Sequence, residues 1–431
     1  MDQLQRSLES IADTFCERFP VQGANPRTVG REAEFPIVTQ NGEAADVRRL
    51  WPLLLENPTL EPVYGQVRSG NEQMIVGLRG DDYTYMLEVG LGTIEINTRP
   101  CQHLFEIKQI MEKSVRQLVR AAAHYGYRVL AYGVQPLTPP RLPLMSPKQR
   151  YFSLYRAMGL DWLWYTVTAS DQLHISLNRA EMVEMLNLGN LMAPVLIALC
   201  ANSPIVKGVR SPFCSAREGR MARIREQEYR HGMPARPFHH VLDFVETIAG
   251  TTHLIQQDEQ FVSPGSQPFT EYLRTHGPDF EAFLFHDHYI WNSARLRAAY
   301  STIEIRPACQ QPWAQHMTLA ALALGMIEAG EAIGAYIRQV LGSAYWEGMQ
   351  RFHQQVILHG LRSPEPSPQF LYTILHLIEE GLQSRGYGEE ALLDTVYSRL
   401  YRNENPAQHI RRIFRTDNLH GLLTYTSIQP A

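Results

Sequence analysis

The chain has no Cys-x-x-Cys pair. Its five cysteines, Cys16, Cys101, Cys200, Cys214 and Cys309, are scattered and odd in number. That excludes a disulfide-built fold and a thiolate zinc site, and it suits reduced thiols in a cytoplasm. Long apolar runs are also missing. Leu191 to Ala201 and Met317 to Met326 are the most apolar stretches, and both are too short to span a bilayer. The opening Met1-Asp2-Gln3-Leu4 carries an acid where a secretory leader would be basic and then apolar. Neither sign of charge dominates: 40 basic and 44 acidic residues leave a net charge of -4. Neither nucleic acid nor a membrane is therefore expected as a partner. No Gly-x-x-x-x-Gly-Lys-Ser/Thr loop occurs, nor a Gly-x-Gly-x-x-Gly after a strand, which disfavours P-loop and Rossmann enzymes. There is no internal repeat and no low-complexity tract.

What is present is enough apolar material, 44% of 431 residues, for a large, well-filled core. Residues 1–312 mix strand and helix patterns, and residues 313–431 read almost wholly as helix to about Phe414. An α+β region with a helical region packed on the same domain is expected. Apolar spacing predicts helices over residues 2–19, 104–123, 179–201 and 313–340, with others near 343–358, 366–384 and 388–402. Tyr127 to Val134 reads as a strand. Residues 250–268 read as irregular. Ser211 to Tyr229 alternates arginine with glutamate, the pattern of a salt-bridged surface helix, and Arg217 at its entrance is the residue to set aside as a substrate clamp.

Four strands share one construction. Glu32 and Glu34 lie on one face of the segment Val29 to Val38, where Pro36 predicts an edge strand. Glu88 precedes a Gly90-Leu91-Gly92 turn, which reads as a hairpin, and Glu95 follows it on a strand whose other face is Ile94 and Ile96. Gln172 and His174 share a face opposite Leu173 and Ile175. Glu304 and Arg306 share a face opposite Ile303 and Ile305. A lone strand histidine is usually structural, and one wet face is ordinary in an antiparallel sheet. The residue types carry the signal here. If these faces converge, like charges repel by about 1 kcal/mol per close pair even in water. Hard carboxylate oxygens then call for Mg2+ or Mn2+, ions that substrate phosphates commonly complete, with ATP as the obvious donor.

Gly30-Arg31-Glu32-Ala33-Glu34, Leu87 to Ile96, Thr168 to His174, Ala201-Asn202-Ser203-Pro204 and Thr302-Ile303-Glu304-Ile305-Arg306 occur in that order. Together they resemble the glutamate–cysteine ligases of the second family, plant-type enzymes and their bacterial relatives. The resemblance covers about residues 29–330. It implies a curved antiparallel sheet of the glutamine synthetase and guanidino kinase type, with helices on its outer side and a C-terminal helical region. It also implies ATP-dependent joining of a glutamate γ-carboxylate to an amine such as cysteine. By motif, Glu32, Glu34, Glu88, Glu95, His174 and Glu304 would hold metal. Arg306 would face the transferred phosphate, with Glu304 beside it in catalysis. Arg217 would grip substrate carboxylate, with Gln172, Arg150 and Tyr151 nearby, and Lys148 would join Arg306 at the nucleotide.

The mechanism implied is activation of a carboxylate as an acyl phosphate, then attack by the amine, driven by charge placement rather than covalent catalysis. The segment Pro307 to Pro312 lacks the acidic residue that relatives often carry there, which leaves the amine open. Two other activities remain in view: the same ligation with a different amino acid or peptide, and a guanidino-kinase-like phosphotransfer. A catalytically silent binding protein is disfavoured by the retained carboxylates. A monomer and a homo-oligomer are equally compatible with the sequence.

Overall fold

The computed structural model describes residues 3–67, 73–256 and 267–429. The opening Met1-Asp2 and residues 257–266 of the stretch read as irregular lie outside them. Helix α1 (Gln3–Glu17) leads into a nine-stranded sheet. Its strands are β1 (Val29–Val38), β2 (Glu61–Gln66), β3 (Gln73–Arg79), β4 (Tyr83–Leu87), β5 (Thr93–Thr98), β6 (Arg128–Val129), β7 (Ser170–Ser176), β8 (Ala294–Arg297) and β9 (Thr302–Cys309). They run in the order β8-β9-β7-β1-β5-β4-β3-β2, with β6 also paired to β1, and every pairing is antiparallel.

Period-two alternation sorts each central strand. Ala33, Phe35, Ile94, Ile96, Leu173, Ile175, Ile303 and Ile305 are buried on one face. Against that face pack α2 (Leu104–His124), α4 (Met182–Leu191), α5 (Ala193–Cys200) and α7 (Thr318–Glu328), in one continuous core that runs from Leu8 to Ile428. Two shorter helices matter to the site: α3 (Gln149–Met158) and α6 (Ala216–Met221). The C-terminal part continues with α8 (Gly330–Leu341), α9 (Tyr345–His359), α10 (Phe370–Arg385), α11 (Asp394–Arg402) and α12 (Pro406–Thr426). Buried Arg31 on β1 ties sheet to helices. It grips Asp171 with two bonds of 2.7 and 2.9 Å and donates to the His316 carbonyl at 2.7 Å.

Several expectations change. Pro36 does not mark an edge, because β1 is central. Odd residues of β1 send their N–H groups toward β5, as Ile37 does to the Gly92 carbonyl. The nitrogen of Pro36 therefore faces the side where β7 has ended at Ala33 and β6 begins at Ile37, so no ladder bond is lost. The strand expected over 127–134 is two residues long. The helix expected over 179–201 is two helices that bend by 43°, with Pro194 at the start of the second. Residues 313–340 likewise break at Gly330, where an added Cβ would come within 2.8 Å of Met185. Apolar residues run through both breaks: α4, α5 and α7 are buried on nearly all sides, and α8 keeps Ile333 and Ile337 in the core while its other face is exposed. The arginine-rich stretch is not a surface helix: only six residues are α-helical, and Arg217 and Glu218 are buried. Among the described residues, no single helix is long and apolar enough to cross a membrane.

Candidate active site

The polar face of the sheet floors a cavity of about 240 Å³. Strand register assembles it. Glu34 stands directly opposite Glu95, Glu32 opposite Gln172 and Asn97, and Glu304 opposite His174. A bulge between Ile305 and Ala308 sets Arg306 and Pro307 against the end of β7. It lets one guanidinium reach two neighbours, Glu304 and Gln172. Gln172 in turn donates to Glu34 at 3.3 Å and to Ser170 at 2.8 Å. Glu34 also accepts from the Ser170 N–H and hydroxyl, both at 2.7 Å. A single hydrogen-bonded chain thus crosses the floor from Glu304 to Ser170.

The six expected carboxylate and imidazole residues come together as two triads. Glu34, Glu88 and Glu95 form one, and Glu32, His174 and Glu304 the other; within each, one ligand atom per residue lies within 4.8 Å of the others. Their electrostatics differ. Burial and the neighbouring Glu88 push the Glu34 carboxyl up to about 7. Burial, then Glu88, Glu32 and Glu34, push Glu95 well above the usual range. Glu32 is the reverse. Burial raises it, but His174 at 2.9 Å, Arg297 and Arg306 outweigh that and hold it at about 2. Glu304 is surrounded by cations. It accepts from Arg295 at 2.6 and 3.1 Å and from Arg306, with Arg297 at 3.6 Å.

The donor chemistry therefore fits a divalent cation at Glu34, Glu88 and Glu95, an all-oxygen set whose mutual repulsion a hard cation relieves. At the second triad, guanidinium groups already occupy the Glu304 oxygens.

The other expected residues are distributed as follows. Arg217 lines the cavity from α6, paired with Glu218. The first turn of α6 is fixed by Ser215, whose hydroxyl accepts the Glu218 N–H. Arg150 and Tyr151 line it from α3, the guanidinium 5.1 Å from the Tyr151 ring centre. Lys148 is buried just before α3. Its ammonium donates to the Leu87 carbonyl and lies 5.2 Å from the Tyr151 ring, outside the cavity lining.

Two of the five arginines that line the cavity were not anticipated from the sequence. Arg295 and Arg297 alternate on β8 and pair across to Glu304 and Thr302. The signal was the Arg295-Leu296-Arg297 alternation, hidden in a four-residue strand. An aromatic wall also went unread. His231 stacks on Trp291 (5.1 Å, 9°) and bonds the Tyr165 hydroxyl at 2.6 Å. Burial, then Arg217, Arg306 and Arg230, keep His231 well below its usual pKa, so this wall is uncharged.

An antiparallel sheet whose polar face carries a cation-demanding carboxylate triad beside a group of arginines defines an enzyme that handles phosphoryl groups. The chain belongs to glutamate-cysteine ligase family 2, whose family model matches residues 28–350, and it is an ATP-dependent ligase. It is 23% identical over 364 residues to the chloroplastic glutamate–cysteine ligase of Medicago truncatula, covering 79% of this chain and 69% of the relative. The Arabidopsis thaliana chloroplastic enzyme is 23% identical over 363 residues, covering 79% and 67%. In fold, the chain is similar to a glutamate–cysteine ligase from Francisella tularensis in complex with AMP. The TM-score is 0.57 at 11% identity, covering 93% of this chain and 87% of that one. It is also similar to a bifunctional glutathione synthetase from Pasteurella multocida, with TM-score 0.53 and 14% identity over 97% of this chain and 54% of that one.

Proposed function

We propose that the enzyme joins the γ-carboxylate of glutamate to the amine of cysteine, as in the first step of glutathione biosynthesis, using ATP. The observation that carries the reading is the division of one cavity floor. Three carboxylates, Glu34, Glu88 and Glu95, gather at one place, with Arg217 reaching Glu34, while Arg295, Arg297 and Arg306 gather around Glu304 at another. Glu34, Glu88 and Glu95 would hold Mg2+ or Mn2+, and the ion would supply charge to screen the phosphates and polarise the transferring group. Burial and the nearby Arg295, Arg217 and Arg297 push Arg306 well below its usual pKa. An anion placed among these guanidiniums relieves that repulsion, so Arg306 faces the transferred phosphoryl. Arg217 grips the substrate carboxylate, and Arg150 and Tyr151 complete that wall.

Glu304, expected as a metal ligand and grouped with Glu32 and His174 about a second candidate cation position, serves in this reading as the anchor that aims Arg306. Gln172 relays that aim to Glu34, and His174 holds Glu32 ionised. Lys148 supports the Glu88 corner from behind rather than meeting nucleotide. The γ-phosphoryl moves to the glutamate carboxylate, releasing ADP. The amine then attacks the acyl carbon, inorganic phosphate leaves, and the amine gives up its proton. The five cysteines are free, which agrees with a reducing compartment such as the cytoplasm. Purified enzyme with ATP, Mg2+ and glutamate should release ADP when cysteine is added and give a γ-glutamyl amide. ADP release with another amine and none with cysteine would replace the substrate; a stable phosphorylated acceptor would replace the reaction.

A further inference from the structure

A second cavity, of about 330 Å³, lies where α12, the end of α9 and the strand Val209–Arg210 meet, and it shares no lining residue with the first. Five arginines line it, Arg210, Arg362, Arg411, Arg412 and Arg415, against one carboxylate, Glu404. This concentration of positive charge sits in a chain whose net charge is -4. Glu404 is already engaged, by Arg412 at 3.1 Å and His409 at 3.3 Å.

Among the described residues Arg210, Arg362 and Arg415 have no ion pair and no side-chain hydrogen bond, and all three are exposed. Arg411 is seated differently. One of its terminal nitrogens donates to the carbonyls of Ser211 and Pro212, at 3.1 and 2.8 Å, while its Nε is buried without a partner. Burial lowers the pKa of Arg411, and Arg210 and Arg362 lower it further, which places these guanidiniums within electrostatic reach of one another. Arg411 and Arg415 are also one turn apart on α12, a like-charge spacing that costs a helix a few tenths of a kcal/mol.

The cavity is concave and small, so its charge is focused on a compact ligand rather than spread along a macromolecular backbone. Guanidinium forks match phosphate and carboxylate oxygens two at a time. We propose that this cavity is a second, metal-independent binding site for a small anion carrying two or more phosphate or carboxylate groups, held by Arg210, Arg362, Arg411 and Arg415.

The test is calorimetric titration of the full chain with pyrophosphate in EDTA, where the carboxylate triad of the first cavity has no cation with which to hold phosphate. Saturable binding to one site is expected. The double variant Arg362→Ala/Arg415→Ala, which alters only exposed, unpaired side chains, should weaken it by at least about tenfold. Its unfolding midpoint and Mg-ATP affinity should not change. Citrate in a parallel titration separates the two sources. Tighter pyrophosphate binding assigns a phosphorylated ligand, and tighter citrate binding a polycarboxylate. Absence of saturable binding of either anion at millimolar concentration overturns the proposal. So does pyrophosphate binding that the double variant leaves unchanged.

Discussion

Replacing Glu304 by glutamine separates the two roles open to this residue. Its side chain is 1% exposed and receives two bonds from Arg295, one from Arg306 and the approach of Arg297 at 3.6 Å. An amide of the same size removes the anion and leaves three guanidiniums together in a buried place. Removing one partner of a buried ion pair costs about 3–5 kcal/mol. That is a large share of a total stability of about 5–15 kcal/mol. Glu304→Gln should therefore lower the urea midpoint sharply in EDTA, where no metal is present to lose. Mn2+ binding, followed by titration of the folded protein, should stay near the parent value. Glu95→Gln should do the opposite. It replaces a half-buried carboxyl whose ionised form is disfavoured by burial and then by Glu88, Glu32 and Glu34. The metal-free protein should then be at least as stable as the parent at neutral pH, while Mn2+ affinity falls by about tenfold or more. If Glu304→Gln unfolds at the parent midpoint and binds Mn2+ weakly, Glu304 is a metal ligand and the arginine-anchor assignment is wrong.

Arg217→Lys keeps the charge but loses the planar fork. The loss of a charge-assisted bond, about 1.5–3 kcal/mol, should raise KM for glutamate roughly tenfold to a hundredfold, with a smaller effect on kcat; an unchanged KM removes Arg217 from the carboxylate site. Asp171→Asn leaves Arg31 buried and uncompensated on the helix-packed face and should cost about 3–5 kcal/mol in denaturant unfolding, most of it recovered when Arg31→Met is added. The pH profile of metal-free stability should show two opposite slopes. Glu34, raised from 4.5 to about 7, binds its proton more readily when folded, so stability falls as pH rises from about 4.5 to 7. Glu32, held at about 2, makes stability fall as pH drops from about 4.5 toward 2. Thermal midpoints in EDTA check both slopes, and added Mg2+ should flatten only the first.

The period-two faces of β5, β7 and β9 were legible because each sets branched apolar residues against polar ones, and that of β1 because Glu32 and Glu34 alternate with Ala33 and Phe35. Their convergence was not. That Glu34 faces Glu95 across a strand pair is fixed by register, which depends on which strands become neighbours. The Glu304–His174 pairing depends on it too, and no single segment states it. The buried pair of Arg31 and Asp171 escaped for the same reason. Its members are 140 residues apart and lie among apolar neighbours on the helix side of the sheet. The helix break at Pro194 was hidden by burial nearly all round, which leaves no polar stripe to interrupt; at Gly330 the apolar run of α7 passes directly into the core-facing Ile333 and Ile337 of α8.

The most consequential gap was a matter of charge balance. Counting acids on long strands gave a cradle that only metal could neutralise. The short strand β8, four residues with little apolar weight, brings Arg295 and Arg297 to the same floor. The bulge after Ile305 turns Arg306 toward Glu304 and Gln172 as well. Guanidiniums thus neutralise the Glu304 end and leave the Glu34 end in deficit. That asymmetry gives the site direction. In the proposed reading, a nucleotide whose phosphates met a cation held at Glu34, Glu88 and Glu95 would present its transferable phosphoryl toward Arg306, because the reverse orientation would place phosphate against carboxylate.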